Sequence, residues 1–359
     1  MRNKGKGKKR VPRRRNPSVR RGGGKHRSFE QAPKISNVPS IESLLKTWLE
    51  TFIFTLVSVL TLLVTTFWLC FRIMRAPIEI FCSSGRKRKT NASSVLITGG
   101  SAGLGKGLAF IYAKRGARIV LVARRLDQLV AVQKQCYALG AKKVDVSVCD
   151  VRDADEMSKV VLEADTEQPL DLVIANAGVL SDTDGLHGSK RVLDINLRGS
   201  LNTVWPILER FAARKTGQVL FMSSLGAYAP ATNAFMMPYL ASKAAINQFG
   251  GGLRTVMKKY NVGVSVACLG MVESELTMKQ LQGQYKAELM GLMTQERGCQ
   301  LIVEGVDENV GVITFPLWLY VVSRALGSLN SVLSDGISPY LQDGDPFGKI
   351  DNVHPIFKQ

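Results

Sequence analysis

The sequence predicts a single α/β domain built on a doubly wound parallel sheet, with a transmembrane or membrane-hairpin segment on its N-terminal side. Three observations support this prediction. A glycine-rich turn follows a short apolar strand, strand and helix patterns then alternate as far as residue 268, and an uncharged stretch of 21 residues precedes both. Alternation of this kind is typical of a parallel sheet with helices on both faces.

The glycine-rich turn comes directly after the apolar residues 95–97. Gly99 permits a tight turn, Gly103 lets backbone N–H groups approach a pyrophosphate, and Gly105 lets the following helix pack closely on the sheet. A second apolar strand at 118–122 completes a βαβ unit. These features together predict a Rossmann-like nucleotide site, and they argue against an ordinary glycine-rich loop.

The later elements repeat this pattern of strand and helix. The predicted strands are 95–98, 118–122, 144–148, 170–174, 218–222 and 262–268, and the predicted helices are 104–115, 126–138, 154–164, 190–213 and 239–259. Ligands of such sheets bind at the carboxyl ends of the strands. The residues that follow each strand are therefore the candidates for a functional site.

The positive charge of the chain is concentrated near its N-terminus. Of 48 Lys and Arg and 29 Asp and Glu in the whole chain, residues 1–89 hold 21 and 4, which leaves 27 and 25 for residues 90–359. Residues 1–45 are predicted to be a disordered basic arm, because they have too few apolar side chains to form a core. The arm is either solvated or a non-specific ligand of anionic lipid or RNA, whereas the near-neutral body presents no footprint for a nucleic-acid duplex.

A membrane segment is predicted over residues 46–82. Its uncharged part, 51–71, is long enough at ~1.5 Å per residue to cross a hydrocarbon core of ~30 Å. Trp48 and Trp68 lie near the ends of this part, where indole rings favour the membrane interface. A helix of this length without polar interruption is uncommon in a soluble core.

The orientation of this segment depends on the charges beside it. The basic linker 83–94 lies close to its C-terminal end and places the following domain in the cytosol by the positive-inside rule. That orientation requires the strongly basic arm to be translocated. The alternative is a shallow hairpin, in which Pro77 breaks the helix and the following residues return to the interface.

Charged and polar residues follow the predicted strands in several places. Arg124 and Arg125 follow the second strand, where an acidic residue usually binds the ribose of NAD, and a cation there suits a 2′-phosphate. Ser223 and Ser224 follow the fifth strand. The next helix carries Tyr239 and Lys243, four residues apart and therefore on one face. A lysine cation in that position is expected to lower the pKa of the tyrosine. 

With these motifs the chain resembles the short-chain dehydrogenase/reductase family over residues 93–280. The resemblance rests on Thr98-Gly99-x-x-x-Gly103-x-Gly105, Asn176-Ala177-Gly178 and Tyr239-x-x-x-Lys243. The catalytic residues it implies are Asn196, Ser224, Tyr239 and Lys243. The cofactor-binding residues it implies are Gly99, Ser101, Gly103, Leu104, Gly105, Arg124, Arg125, Asp150, Val151, Asn176, Ala177, Gly178, Lys243 and Val272. Among these, the resemblance assigns Asp150 to the adenine amino group and the backbone of Val272 to the carboxamide.

Two departures from the family pattern concern the catalytic end. Ser224 and Tyr239 are 15 residues apart, about two more than is common in the family, so Ser223 stays an alternative to Ser224. Leu269-Gly270 stands where the family usually has Pro-Gly, which is expected to loosen the nicotinamide end of the site.

The activity that the resemblance implies is NADPH-dependent reduction of a ketone to an alcohol. Tyr239 protonates the developing alkoxide and Ser224 donates a hydrogen bond to the same oxygen. Lys243 lowers the pKa of Tyr239 and holds the nicotinamide ribose. Asn196 supports a water molecule that links Lys243 to bulk solvent.

One branch of the family resembles the chain more than others, namely the membrane-bound 3-ketodihydrosphingosine reductases. The segments that carry this resemblance are 95–101, 122–124 and 272–275. The branch implies a long-chain keto-lipid as substrate and the endoplasmic reticulum membrane, with the catalytic domain in the cytosol. Hydroxysteroid, retinoid and acyl-lipid reductases share most of these segments and are the alternatives. A non-catalytic cofactor-binding scaffold and a basic-tailed RNA-associated protein are further alternatives.

The C-terminal region offers two interpretations. The apolar run 312–322 is too short to span a bilayer and contains Pro316, which argues against a central strand. It is either a core strand followed by a helix or part of an amphipathic segment, 312–334, that lies on the membrane. The stripe of that segment would consist of Trp318, Leu319, Val322, Leu326 and Leu329. The predicted reductase domain then covers 95–311, and 335–359 forms a polar tail.

The predicted partners follow from these observations. They are a lipophilic ketone and a membrane, with no specific nucleic acid and with a homo-oligomer as an open alternative. The six cysteines of the chain have neither a CxxC pair nor any metal-ligand spacing, so no metal site is predicted.

Overall fold

A computed structural model describes residues 40–82, 91–180, 188–229, 236–274, 277 and 292–328. The predictions for the arm up to residue 39, the linker residues 83–90, and the C-terminal region from residue 329 onward lie outside the described residues. The chain divides into two compact units between Phe54 and Thr55, a point within the first helix.

The first helix, α1 (Ile41–Cys82), is continuous through Pro77. The hairpin alternative requires the helix to break at Pro77. The described helix has no break there, so this part of the alternative is wrong. Among the described helices only its segment Ile41–Leu69 is long and apolar enough to cross a membrane, and none of its most apolar stretch is buried. At least four of its threonines bond to the helix itself: the Thr61 hydroxyl, for example, donates to the carbonyl of Val57 over 2.7 Å. Satisfied backbone and hydroxyl groups suit a hydrocarbon environment.

A seven-stranded parallel sheet forms the centre of the second unit. Its strands are β1 (Ser94–Thr98), β2 (Arg118–Ala123), β3 (Lys143–Val148), β4 (Leu172–Ala175), β5 (Gln218–Ser224), β6 (Gly263–Leu269) and β7 (Val312–Phe315). The order in the sheet is β3-β2-β1-β4-β5-β6-β7. The six predicted strands are confirmed, and so is the doubly wound α/β fold. The order reverses between β1 and β4, which is where such sheets open a crevice for ligands.

Helices cover both faces of this sheet. They are α2 (Gly103–Lys114), α3 (Leu126–Ala138), α4 (Ala154–Glu167), α5 (Ser189–Leu193), α6 (Gly199–Arg214), α7 (Met237–Met257), α8 (Gln295–Asp307) and α9 (Leu317–Gly327). One core lies between the sheet and α2, α3 and α8. The other lies between the sheet and α4, α6 and α7. The predicted helix 190–213 is interrupted by a π-helical turn, Asp194–Arg198, which separates α5 from α6.

Strand β7 extends the sheet beyond residue 311, so the predicted end of the domain at that residue falls too early. Val312 pairs with Val266 of β6, and β7 is an edge strand, where the following Pro316 removes no ladder hydrogen bond. Leu319 of α9 packs against the core, whereas Val322 and Leu326 are 43% and 40% exposed. The interpretation as a core strand followed by a helix is therefore correct, and Leu319 does not belong to an exposed stripe.

Candidate functional site

A cleft of about 440 Å³ opens at the carboxyl ends of the strands, next to the point where the strand order reverses. All but two of the predicted site residues line it. Those that line it are Gly99, Ser101, Gly103, Leu104, Arg124, Arg125, Asp150, Val151, Asn176, Ala177, Gly178, Ser224, Tyr239, Lys243 and Val272. The two that do not are Gly105 and Asn196, which support the cleft from behind.

The glycine turn is shaped by close backbone approaches. Gly99 has φ +68° and Gly103 has φ +52°, in the left-handed region that favours glycine. A Cβ on Gly105 would overlap the carbonyl of Gly99 and lie 2.6 Å from Nδ2 of Asn176. That Nδ2 donates to the carbonyl of Thr98 over 3.0 Å and ties the end of β4 to the turn. The turn therefore presents bare backbone to the cleft, as a bound pyrophosphate requires.

The two arginines after β2 line the far side of this turn. The Arg124 side chain is 55% exposed, and its Nη1 lies 3.8 Å from Oδ2 of Asp150. Arg152 also binds Asp150, with its Nη2 2.8 Å from the same oxygen and its backbone N–H 3.0 Å from Oδ1. Hydrogen bonds from Arg152 hold the pKa of Asp150 below its ordinary value. No pattern in the sequence predicts this role for Arg152, because a surface arginine two residues after an aspartate is common.

The catalytic end places Ser224, and not Ser223, beside Tyr239. The side chains of Ser224 and Tyr239 share a hydrogen bond. The Ser223 hydroxyl instead donates to the carbonyl of Lys243 over 3.0 Å, within the protein. Successive side chains of a strand point to opposite faces, so one serine of the pair reaches the tyrosine and the other cannot.

Burial controls the titration of the tyrosine and the lysine. Lys243 is 5% exposed, and its Nζ donates to the carbonyl of Met222 over 2.8 Å. Burial lowers the pKa of Lys243 to about 8. Burial also raises the pKa of Tyr239, and the hydrogen bond with Ser224 opposes this only in part. The expected lowering of the tyrosine pKa by the lysine is therefore wrong for this structure, because burial raises that pKa and Lys243 is not among the groups that lower it.

Asn196 lies in the π-helical turn and is fully buried. Its Oδ1 accepts from the backbone N–H of Val179 over 2.8 Å, and its Nδ2 donates to Oγ of Ser242 over 3.2 Å. Ser242 in turn donates to the carbonyl of Tyr239 over 2.6 Å. Asn196 therefore joins the segment after β4 to the first turn of α7. Its assignment to a water that reaches Lys243 stays a prediction.

The cleft also contains residues that were not predicted as site residues. They are Ala102, Ala123, Cys149, Val179, Ile195, Met222, Leu269, Gly270, Ser274 and Thr277, and the alternative serine Ser223 lines the cleft as well. Ser274 and Thr277 are the polar members after β6, and their hydroxyl oxygens lie 2.9 Å apart. A Ser and a Thr three residues apart, following a buried strand, are the sequence signal that could have predicted them.

These residues fit a nicotinamide dinucleotide. Such a ligand needs a turn without side chains for its pyrophosphate, and Gly99 and Gly103 provide one. The volume of the cleft lies within the ~300–1,000 Å³ typical of sites for small ligands. Arg124 and Arg125 stand at the end where a 2′-phosphate would lie, and Tyr239 and Lys243 stand at the other end.

Comparisons with known proteins agree with this site. The sequence profile described as short chain dehydrogenase matches residues 93–284. An uncharacterized oxidoreductase of Myxococcus xanthus is 32% identical over 256 residues, which cover 69% of this chain and 97% of that protein. The 11-beta-hydroxysteroid dehydrogenase A of Sesamum indicum is 32% identical over 248 residues, covering 63% and 69%. A crystal structure of a short-chain dehydrogenase/reductase from Mycobacterium marinum matches the fold with a TM-score of 0.57 at 22% identity, covering 62% of this chain and 93% of that one.

The fold and the cleft thus define an oxidoreductase with a Rossmann-like nucleotide site. The chain belongs to the short-chain dehydrogenase/reductase family, since the family profile covers more than half of it. Enzymes of this family act on CH–OH groups and use nicotinamide cofactors.

Proposed function

We propose that the chain is an NADPH-dependent ketoreductase, anchored in a membrane, that reduces a lipophilic ketone. The observation that carries this proposal is the hydrogen-bonded pair of Ser224 and Tyr239 in the cleft, with the buried Lys243 one helical turn further on. Two hydroxyl groups that meet in this way can both reach one carbonyl oxygen.

The side chains of the site have different roles at the carbonyl oxygen. When bound, the nicotinamide cofactor supplies the hydride. Tyr239 donates its proton to the carbonyl oxygen, and Ser224 stabilises the developing negative charge through a hydrogen bond. The raised pKa keeps Tyr239 protonated at neutral pH, which suits a proton donor. Lys243, with a pKa of about 8, exchanges protons close to physiological pH and is suited to return one to Tyr239.

The preference for NADPH rests on charge. Arg124 and Arg125 line the cleft where an NAD-specific site offers a carboxylate to the ribose. Arg124 has a largely exposed side chain with one long contact to Asp150, so it can turn to a 2′-phosphate at small cost. Ser101 lines the same part of the cleft and adds a hydroxyl.

The substrate proposal is a long-chain keto-lipid, with 3-ketodihydrosphingosine as the first candidate. It is supported by the long, exposed apolar helix α1 and by the sequence segments that resemble that branch of the family. Each methylene that leaves a bilayer loses ~0.8 kcal/mol unless the protein buries it again, so a lipid substrate favours an enzyme held at the membrane. We place the anchor in the endoplasmic reticulum, with the catalytic domain on the cytosolic side.

A steroid ketone is the second candidate. It is favoured by relatives named 11-beta-hydroxysteroid dehydrogenase, among them the protein of Sesamum indicum. Steroids and long-chain keto-lipids share a bulky apolar body and differ in shape, so a direct comparison of both substrates decides between them.

The test uses membranes that contain the full chain, with the Tyr239→Phe variant as the matched control. They are incubated with NADPH or NADH and with 3-ketodihydrosphingosine, an 11-keto steroid or a small soluble ketone. We expect the fastest turnover with NADPH and the keto-lipid, and loss of turnover in the variant. Faster reduction of the steroid would replace the first candidate by the second. Turnover of none of the ketones with either cofactor would contradict the proposal.

The role of the anchor has a separate test. Removal of residues 1–85 is expected to leave the reduction of short soluble ketones intact and to slow the reduction of a ketone embedded in vesicles. If the shortened protein reduces bilayer-borne 3-ketodihydrosphingosine as fast as the full chain, α1 serves only to localise the enzyme.

A further inference from the structure

The orientation of Ser224 depends on the short turn that follows it. A 3₁₀ turn, Leu225–Tyr228, begins directly after this serine. The Ser224 hydroxyl accepts a hydrogen bond from the backbone N–H of Gly226 over 3.2 Å, inside the same turn. Any displacement of the turn therefore moves the hydroxyl group that bonds to Tyr239.

The last residue of the turn, Tyr228, is held by α9 at the C-terminal side of the domain. Its ring meets the ring of Tyr320 edge-on, with centroids 5.3 Å apart and an interplanar angle of 87°. The guanidinium carbon of Arg324 lies 5.1 Å from the Tyr228 ring centroid. A Cβ on Gly327 would overlap the carbonyl oxygen of Tyr228, so α9 reaches the turn this closely because residue 327 has no side chain.

The hydroxyl of Tyr228 makes a second connection, to the strand beside the serine. It lies 3.5 Å from Sγ of Cys268, which is fully buried and pairs in register with Ser223. Cys268 Sγ also donates to Oδ1 of Asn247 over 3.2 Å. Asn247 is one turn after Lys243 on α7. The Tyr228 hydroxyl thus links the serine turn to the helix that carries Tyr239 and Lys243.

Tyr228 itself takes no part in proton transfer. It does not line the cleft, and burial raises its pKa far above the ordinary value for a tyrosine. Its hydroxyl stays protonated at any pH at which the enzyme would be assayed. Its contacts are therefore with the framework of the site alone.

We propose that Tyr228 is a positioning residue, which fixes the turn bearing Ser224 between Cys268 and α9 and so holds the serine hydroxyl against Tyr239. The proposal deepens the proposed function and rests on it, because Ser224 has this role only in a ketoreductase. It also gives α9 a part in the reaction although α9 supplies no residue to the described lining of the cleft.

The test is a double-mutant cycle between Tyr228 and Ser224. In full-length protein, Tyr228→Leu is expected to lower kcat for 3-ketodihydrosphingosine roughly ten- to a hundredfold, the usual cost of a misplaced catalytic group, with little change in KM for NADPH. In the Ser224→Ala background the same change is expected to lower kcat by less than about threefold, because the group that Tyr228 positions is already gone.

Two further variants separate positioning from general packing. Tyr260→Leu removes another half-buried tyrosine that packs against the same core, and it is expected to leave kcat within about twofold of wild type in either background. Tyr228→Phe keeps both ring contacts and removes only the bond to Cys268. It is expected to lower kcat about two- to fivefold in the wild type and not at all in Ser224→Ala.

A spectroscopic measurement keeps the proposal testable without turnover. The ¹³C shift of Cζ in labelled Tyr239 reports its hydrogen bond with Ser224, and Tyr228→Leu and Gly327→Ala should both move it towards the value in Ser224→Ala. If Tyr228→Leu does not fold, the same comparison of kcat and of the Tyr239 shift is made with Tyr228→Phe and Gly327→Ala. Equal losses of kcat in both backgrounds, or an unchanged Tyr239 shift, would overturn the positioning role. A wild type without turnover but with these shifts would sink the proposed function and leave the positioning role standing.

Discussion

The two ends of the cleft are built in different ways. At the cofactor end the shape comes from backbone, since Gly99 and Gly105, which have no side chains, pack closely against each other and against Asn176 after β4. At the catalytic end the shape comes from side chains, and Ser224 owes its position to a turn held by Tyr228 and α9. The first end is specified by local sequence, whereas the second depends on contacts between residues far apart in the chain.

This difference explains how each end should respond to substitution. A backbone turn tolerates no added atom where two backbone segments touch. Substitutions in the turn therefore cause steric clashes, and these weaken cofactor binding. The catalytic side chains tolerate nearby changes of volume but not the loss or displacement of one hydroxyl group. Substitutions at this end therefore lower kcat. The predictions below separate these two kinds of failure.

Apart from removal of the Tyr239 hydroxyl itself, the largest effect is expected from the serine that faces Tyr239. Ser224→Ala should lower kcat about ten- to a thousandfold, since it removes one donor to the carbonyl oxygen. Ser223→Ala is the matched control and should cost less, because the Ser223 hydroxyl bonds to the carbonyl of Lys243. Steady-state kinetics with saturating NADPH measures both. A greater loss from Ser223→Ala would mean that the register of the serine pair is wrong.

A steric failure is expected at Gly105. Gly105→Ala places a Cβ against the carbonyl of Gly99 and the amide of Asn176, which should weaken NADPH binding by about 1–3 kcal/mol and lower the melting temperature. Gly251→Ala is the matched control, because no atom lies within 4 Å of a Cβ there. Calorimetric titration with NADPH compares the two variants. Similar affinities for both would show that the turn is more adaptable than its geometry implies.

The cofactor end also contains one side-chain effect. Arg124→Ala should weaken NADPH by about 1.5–3 kcal/mol, the scale of a charged hydrogen bond, and should leave NADH almost unchanged. Dissociation constants for the two cofactors provide the measurement. An equal loss for both would assign Arg124 to the structure of the cleft, through its contact with Asp150.

The last effect is on stability and not on activity, and it concerns Lys243 in the protein without ligand. Burial lowers its folded-state pKa to about 8, so between pH 8 and its ordinary value of 10.5 the unfolded chain binds more protons than the folded one. Stability therefore rises with pH in that window. From pH 8 to pH 10 we expect the free energy of unfolding to gain about 2 kcal/mol relative to Lys243→Met, as measured by urea denaturation. Parallel pH profiles for the two proteins would contradict a buried lysine with a lowered pKa.

Much of the fold could be predicted because its signals are local. The strands are short apolar runs, and at Gly105, near the start of α2, a Cβ would overlap the carbonyl of Gly99. Strand β7 was only one of two interpretations, because Pro316 argued against a strand in the middle of a sheet. The pattern along the chain does not show that this strand lies at the edge, where a proline is tolerated.

The site divides in the same way. The glycines of the turn and the pair Tyr239 and Lys243 have fixed spacings, so the sequence predicts them, and all of them except Gly105 line the cleft. The choice between Ser223 and Ser224 depends on which face of β5 meets α7, and the pKa of Tyr239 depends on how deeply that helix is buried. Tyr228 and Cys268 meet only after β5 and β6 have paired. None of these contacts leaves a periodic signal in the sequence.

The most direct test of the central claim follows a labelled hydrogen atom in membranes that contain the full chain. NADPH carrying deuterium at C4 is incubated with 3-ketodihydrosphingosine, and the product alcohol is examined by mass spectrometry. We predict one deuterium per product molecule in the wild type and product formation below about a tenth of that rate in Tyr239→Phe, with NADPH affinity nearly unchanged. Labelled product formed at the wild-type rate by Tyr239→Phe would show that the proton comes from another group, and this account of the site would be wrong.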